Sequence, residues 1–271
     1  MSYCWKCGTK LEEDMAYCPK CGTATNQPHN PNRAYGNEDK VIRTIGLAVV
    51  GVIVAVVIIV VALVAAGVLS GTQSPFGHIG SGQVTTQQYN FTDFTAISAS
   101  HGFNVQITQG NTYSIKVIID DNLQQYVNVH KEGSTLMVEL KPGGYQTTQL
   151  KAEVTMPDLR NLQLSGGSIA DAQNFNVSGD LGVDLSGGSR FTMSGQATDL
   201  TLTGSGGSNI NLEDLQTNDA RVDLSGGSQC RINISGRLDA TLSGGSQLHY
   251  KGNPTLGTVD SSGGSIIAPI P

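Results

Sequence analysis

The stretch Leu162-Gln163-Leu164-Ser165-Gly166-Gly167-Ser168 returns as Val183-Asp184-Leu185-Ser186-Gly187-Gly188-Ser189 and as Val222-Asp223-Leu224-Ser225-Gly226-Gly227-Ser228. Its last four residues occur six times, beginning at Ser165, Ser186, Ser205, Ser225, Ser243 and Ser262, at intervals of 18 to 21 residues. A repeat of this length is the signature of a solenoid, in which each short unit buries its apolar face only by stacking on the next.

The flanking residues identify the type. Three positions before the six first serines stand Leu162, Val183, Leu202, Val222, Ala240 and Val259, followed by Gln163, Asp184, Thr203, Asp223, Thr241 and Asp260. Past the motif, Phe191, Ile210, Cys230, Leu248 and Ile267 share one offset. Apolar and polar side chains thus alternate with period two on both sides of a glycine corner, which predicts strand, corner, strand with one face inward. Flexible Gly/Ser linkers have no reason to hold aliphatic residues at fixed offsets. The expected fold is mainly β, a parallel β-helix whose six coils, stacked at about 4.8 Å, span about 29 Å. Paired glycines suit the corner because positive φ costs them little, and the serines are expected to hydrogen-bond from coil to coil.

The chain has 271 residues, 34 of them glycine. Charge is unevenly spread. Residues 1–43 carry six Lys+Arg against five Asp+Glu, and the remainder carries ten against seventeen. An acidic main body argues against nucleic acid as a partner, since binding to phosphates is driven by Lys and Arg displacing counterions.

At the N-terminus, Cys4-Trp-Lys-Cys7 and Cys18-Pro-Lys-Cys21 are each followed by glycine, Gly8 and Gly22. Two such knuckles supply four thiolates, which suits one tetrahedral structural Zn²⁺ held by Cys4, Cys7, Cys18 and Cys21. The segment resembles the small zinc ribbon found at the N-terminus of many prokaryotic membrane proteins. Residues 26–43 read as a linker. Ile45 to Leu69 is uncharged over 25 residues, enough to cross a bilayer as a helix, so a single transmembrane span is expected at 44–70. Arg33, Lys40 and Arg43 precede it and no Lys or Arg follows until Lys116. That bias predicts a cytoplasmic N-terminus and an extracellular β-helix, and the four ribbon cysteines fit a reducing compartment. Residues 71–88 read as a Gly/Ser spacer, 89–159 as opening coils and cap, and 160–271 as the repeat solenoid. Ala268-Pro-Ile-Pro271 reads as a stop, because proline cannot donate to a further coil.

Alternating strands around Phe103 to Val105, Gly133 to Leu140 and Ala152 to Pro157, followed by L-x-L-S-G-G-S coils, resemble the family "putative auto-transporter adhesin, head-GIN domain" over about residues 89–267. The resemblance implies a right-handed β-helix displayed outside the membrane and a role in adhesion. It carries over no catalytic residues.

A β-helix can also host polysaccharide-cleaving enzymes. Asp184, Asp223 and Asp260 are the best candidate acids, but they recur on every second coil, about 9 to 10 Å apart, beyond the carboxylate spacings of glycosidases. The five histidines, His29, His78, His101, His130 and His249, form no defensible triad by spacing. The chain is therefore expected to be a non-enzymatic, membrane-anchored surface protein that binds glycans or envelope polymers outside. The alternatives are a transmembrane sensor whose ribbon recruits a protein partner inside, and a polysaccharide-active enzyme.

Overall fold

The computed structural model describes residues 2–4, 6–12, 16–24 and 77–270. They belong to two compact units, one within Met1–Gly71 and the other within Thr72–Pro271. The predicted span at 44–70 lies outside the described residues. Among the described residues, no helix is long and apolar enough to cross a membrane.

In the first unit, β1 (Ser2–Tyr3) pairs antiparallel with β2 (Lys10–Leu11). The second unit opens with β3 (His78–Ile79), β4 (Val84–Tyr89), β5 (Ala96–Ala99), β6 (Asn104–Gln109) and β7 (Ser114–Asp120). A 3₁₀ turn, Asp121–Tyr126, leads to β8 (Val127–Glu132), β9 (Thr135–Leu140), β10 (Tyr145–Gln146) and β11 (Leu150–Met156). The repeats supply β12 (Asn161–Leu164), β13 (Ile169–Asn176), β14 (Leu181–Leu185), β15 (Arg190–Gln196), β16 (Leu200–Gly204) and β17 (Asn209–Thr217). They continue through β18 (Ala220–Leu224), β19 (Gln229–Ile234), β20 (Arg237–Leu242), β21 (Gln247–Lys251), β22 (Thr255–Ser261) and β23 (Ile266–Pro269).

Even-numbered repeat strands stack in a nine-stranded sheet and odd-numbered ones in a ten-stranded sheet, so the solenoid has two broad faces. Each Ser-Gly-Gly-Ser corner carries the chain from one sheet to the other. The register aligns Leu162, Val183, Leu202, Val222, Ala240 and Val259 in one column. Phe191, Ile210, Cys230, Leu248 and Ile267 form another. Apart from Val259 and Ile267 on the last coil, both columns are buried in one continuous core. Each such side chain contributes about 1.5–3 kcal/mol relative to exposure. Cys230 lies in this core, where burial pushes its thiol far above the usual range.

The corners are tight turns. In the first motif the Ser168 N–H donates to the Ser165 carbonyl at 3.2 Å, and Gly166 and Gly167 both take positive φ, 60° and 75°. Two successive left-handed residues are what a type I′ turn requires. The serines act differently from the sequence expectation. In the four middle motifs the second serine is buried and its hydroxyl closes its own turn: Ser189 Oγ donates to the Ser186 carbonyl at 2.7 Å, with Ser208, Ser228 and Ser246 doing the same. Most coil-to-coil bonds at the corners come from backbone, as when the Ser186 N–H donates to the Leu164 carbonyl at 2.9 Å. Only in the last motif do the serines bridge coils as expected, the Ser246 N–H donating to Ser265 Oγ at 3.1 Å and Ser262 Oγ to the Leu242 carbonyl at 3.4 Å. A hydroxyl buried beside its own carbonyl satisfies itself locally and has no need to reach 4.8 Å to the next coil.

The opening strands do not stack in chain order. β5 and β6 lie between β9 and β11 on one side and β12 and β13 on the other. β11 thus runs parallel to β6 and antiparallel to β7, and separates two strands that are consecutive in sequence. The chain then steps past the β5–β6 coil to begin the repeats, with Leu159 buried in the link. Antiparallel β4, β7 and β8 and the 3₁₀ turn close this end, with Leu123 inserted as a plug. At the other end, Pro269 takes part in β23, paired with Tyr250, and Leu256, Val259 and Ile266 stand exposed.

Candidate metal centre and binding surfaces

The ribbon is built as two copies of one knuckle, Tyr-Cys-x-Lys-Cys-Gly-Thr at 3–9 and 17–23. Cys4 N–H donates to the Thr9 carbonyl and Cys18 N–H to the Thr23 carbonyl, both at 2.8 Å. Gly8 and Gly22, with φ of 70° and 67°, donate back to the Cys4 and Cys18 carbonyls at 2.9 Å. These turns bring Cys4, Cys7, Cys18 and Cys21 together, every sulfur within 4.8 Å of the others, with Cys4–Cys21 and Cys7–Cys18 at 3.6 Å. Four bonds of about 2.3 Å in a tetrahedron place sulfurs about 3.8 Å apart, so the cluster is compatible with a structural Zn²⁺.

Two residues that motif reading passed over complete the site. Thr9 and Thr23 lie 3.3 and 3.2 Å from the sulfurs of Cys7 and Cys21. The Thr9 hydroxyl and amide hold the Cys7 thiol down at about 6, whereas burial raises Cys18 to about 11. Hydrogen bonds to sulfur favour the thiolate, the form that binds metal. The signal was the repetition of threonine after each Cys-Gly. Among the described residues, the ribbon's buried cluster consists of Cys4, Leu11 and Cys18. Many small modules of this kind fold only on binding their metal.

On the solenoid, the column Asp184, Thr203, Asp223, Thr241 and Asp260 is in register and exposed; Asp184 lies between Gln163 and Thr203, Asp223 between Thr203 and Thr241, and Asp260 beside Thr241. No two of these acids are adjacent, so the column offers no carboxylate pair. Different aspartates bind one coil to the next. Asp199 accepts from the Asp219 N–H at 3.0 Å, Asp219 from the Arg237 N–H at 2.7 Å, and Asp239 from the Thr258 N–H at 2.6 Å. Arg237 also grips Asp239 through two bonds of 2.8 Å, which holds that carboxyl at about 2.

The ten-stranded sheet presents a polar groove of about 280 Å³ over Asn209, Asn211, Gln229, Arg231, Gln247 and His249. Its two columns, Asn209-Gln229-Gln247 and Asn211-Arg231-His249, follow from strict register. Among the described histidines, His249 lies on this face, His130 pairs with Glu132 at 3.2 Å, and His78 stacks on Tyr126 at 4.2 Å; His29 lies outside the described residues.

The profile of the family "Putative auto-transporter adhesin, head GIN domain" matches residues 93–254. The chain belongs to this family. The zinc-ribbon family matches residues 3–25, around the four cysteines. Among solved structures, a "putative adhesin" from Bacteroides fragilis is 21% identical, with a TM-score of 0.59 over 72% of this chain and 100% of that one. A "putative lipid binding protein" from Parabacteroides distasonis is 17% identical, with a TM-score of 0.47 over 71% and 99%. Among curated proteins, no sequence matches this chain. For the head-GIN chain described here, the Bacteroides likeness concerns the fold alone.

Proposed function

We propose that this head-GIN protein is a non-enzymatic surface protein, anchored by a single span at 44–70, which displays its solenoid outside the cell to bind glycans or envelope polymers. Cys4, Cys7, Cys18 and Cys21 hold zinc on the cytoplasmic side. The observation that carries the binding role is the pair of aligned columns on the ten-stranded sheet. Amides that both donate and accept, repeated at strand spacing along a stiff face, match a polymer of hydroxyl-bearing units better than a single small ligand.

The test uses the full chain in detergent, co-sedimented with purified envelope polysaccharide from its host. Retention should exceed that of an unrelated acidic β protein and fall at least severalfold when Asn211→Ala, Gln229→Ala and Gln247→Ala are combined. Retention equal to the control overturns the reading. The anchoring part is checked separately. Protease applied to intact cells should remove a C-terminal tag and spare an N-terminal one.

One observation favours a relay role in addition. Tyr3 and Tyr17, at equivalent positions of the two knuckles, are 61% and 66% exposed. Paired exposed aromatics on so small a module suit a protein partner. If Tyr3→Ala with Tyr17→Ala leaves every partner captured by the wild-type ribbon in place, that role is lost.

A further inference from the structure

The capped end of the solenoid contains a concavity of its own. It lies between β4, the 3₁₀ turn and β8, and its volume of about 550 Å³ is within the range of small-ligand sites. Its polar lining comes from Gln87, Tyr89, Asn122, Gln124, Gln125 and Asn128, with Val127 and Val129 as apolar floor. The only ionisable carboxyl on it, Asp121, is occupied by Ser81 and the Asn122 N–H. No lysine, arginine or histidine lines it. That excludes anions as the preferred ligand, and a single engaged carboxylate gives a cation little hold.

The amides are set up unequally. Gln124 Nε2 donates to Gln87 Oε1, while Gln124 Oε1 is shielded from solvent and has no partner. A shielded acceptor without a donor is uncommon, and a turn of the Gln124 amide toward the cleft is what would offer this oxygen to a ligand. Gln125 and Asn128 use their NH₂ groups on the Asn122 carbonyl and on Glu139, at 3.1 and 2.8 Å, which leaves each side-chain carbonyl oxygen to accept. Tyr89 adds a half-buried phenol beside Gln124. The frame is rigid: Asn122 Nδ2 donates to the Ile79 carbonyl at 2.8 Å and its Oδ1 accepts from the Ser81 N–H at 2.9 Å. Preorganised acceptors around an aromatic edge suit a ligand whose hydroxyls donate and whose ring carries no charge.

We propose that this cleft at the capped end is a binding site for one or two residues of a neutral saccharide. It deepens the glycan reading above by adding a discrete pocket to the extended face.

The full chain, in a detergent without a sugar headgroup, is titrated with maltotriose and with chitotriose by calorimetry and saturation-transfer NMR. Binding of at least one is expected. Gln124→Ala and Gln124→Glu should each weaken it tenfold or more, and Tyr89→Phe severalfold, with unchanged melting temperature. Arg231→Ala on the repeat face should leave it intact. Absence of binding to both trisaccharides overturns the pocket, as does binding that survives both Gln124 variants. If trisaccharide binding instead falls with Arg231→Ala, or polysaccharide retention persists without a trisaccharide site, the extended-face reading stands and the pocket does not. Failure of both assays removes both.

Discussion

Gly206 rests directly on Gly187: a Cβ added to Gly206 would lie 3.1 Å from the Gly187 backbone nitrogen, closer than such contacts ordinarily come. The same approach recurs at Gly226 over Gly206 and at Gly244 over Gly226, both at 3.0 Å. The second glycine of each corner has nothing within 4 Å, so its only demand is a φ near 78°, as at Gly207. One motif position is therefore fixed by stacking and conformation together, the other by conformation alone.

This difference predicts unequal responses to substitution. Gly206→Ala meets both the left-handed conformation, costing about 1–2 kcal/mol, and the neighbouring backbone. Gly207→Asn meets only the former and carries the side chain best suited to it. Gly206→Ala should lower the unfolding midpoint clearly more than Gly207→Asn, followed by circular dichroism. Equal shifts would mean that the stacked backbones yield freely.

Asp120 is fully buried and accepts from the Gly82 N–H, the Thr148 N–H and the Thr148 hydroxyl, all at 2.8 Å, and from the Thr147 hydroxyl at 2.5 Å. These donors hold its carboxyl far below the usual range. A folded pKa below the unfolded value of about 4 gives stability that is fully present above that value and is lost as pH falls from it through the folded pKa. Protection factors at residues 80–83 and 147–149, which correct for the intrinsic pH dependence of exchange, should therefore fall progressively below about pH 4 in the wild type. Asp120→Asn should show lower protection factors already at neutral pH and little further change on acidification.

Zinc removal should separate the two units. Among the described residues of the ribbon, Leu11 is the one buried residue that is not a candidate ligand, whereas the solenoid has its own core. Chelation, or Cys4→Ser with Cys7→Ser, should release one zinc per chain by dye assay and expose residues 1–24 to protease. The solenoid's melting temperature should stay within about 2 °C, below the shift a 1 kcal/mol loss would cause. A large fall would show that the units depend on each other.

The last coil makes a testable statement about association. Ile266 and Ile270 donate inward, to Ser246 and Tyr250, so by strand alternation Pro269 faces the free edge, where it offers no N–H. Leu256, Val259 and Ile266 are exposed beside it. Pro269→Thr restores a donor to that edge and should raise self-association, measured by light scattering as a larger mean mass at equal concentration. An unchanged mass would mean that the proline does not guard the edge.

The sequence by itself determined whatever depends on neighbours along the chain. Period and alternation specified the coil, paired glycines the corner, and four cysteines with their spacing the metal cluster. Thr9 and Thr23 were within reach of the same reasoning, since the knuckle repeats them. Only the tertiary structure decided which coil stacks on which at the capped end. A strand with period two presents the same apolar face to any partner, so nothing in β5, β6, β9 or β11 states that the first pair lies between the second pair and the repeats. The aspartates that tie coil to coil were hidden for a related reason: Asp199 and Asp219 sit beside turns and Asp239 at a half-exposed strand position, where polar residues are expected, and their acceptor role appears only once the next coil's N–H is overhead. The same holds for the cleft. Gln87, Gln124 and Asn128 come from a strand, a turn and another strand, and they line one cavity because antiparallel pairing folds those segments over the end of the core.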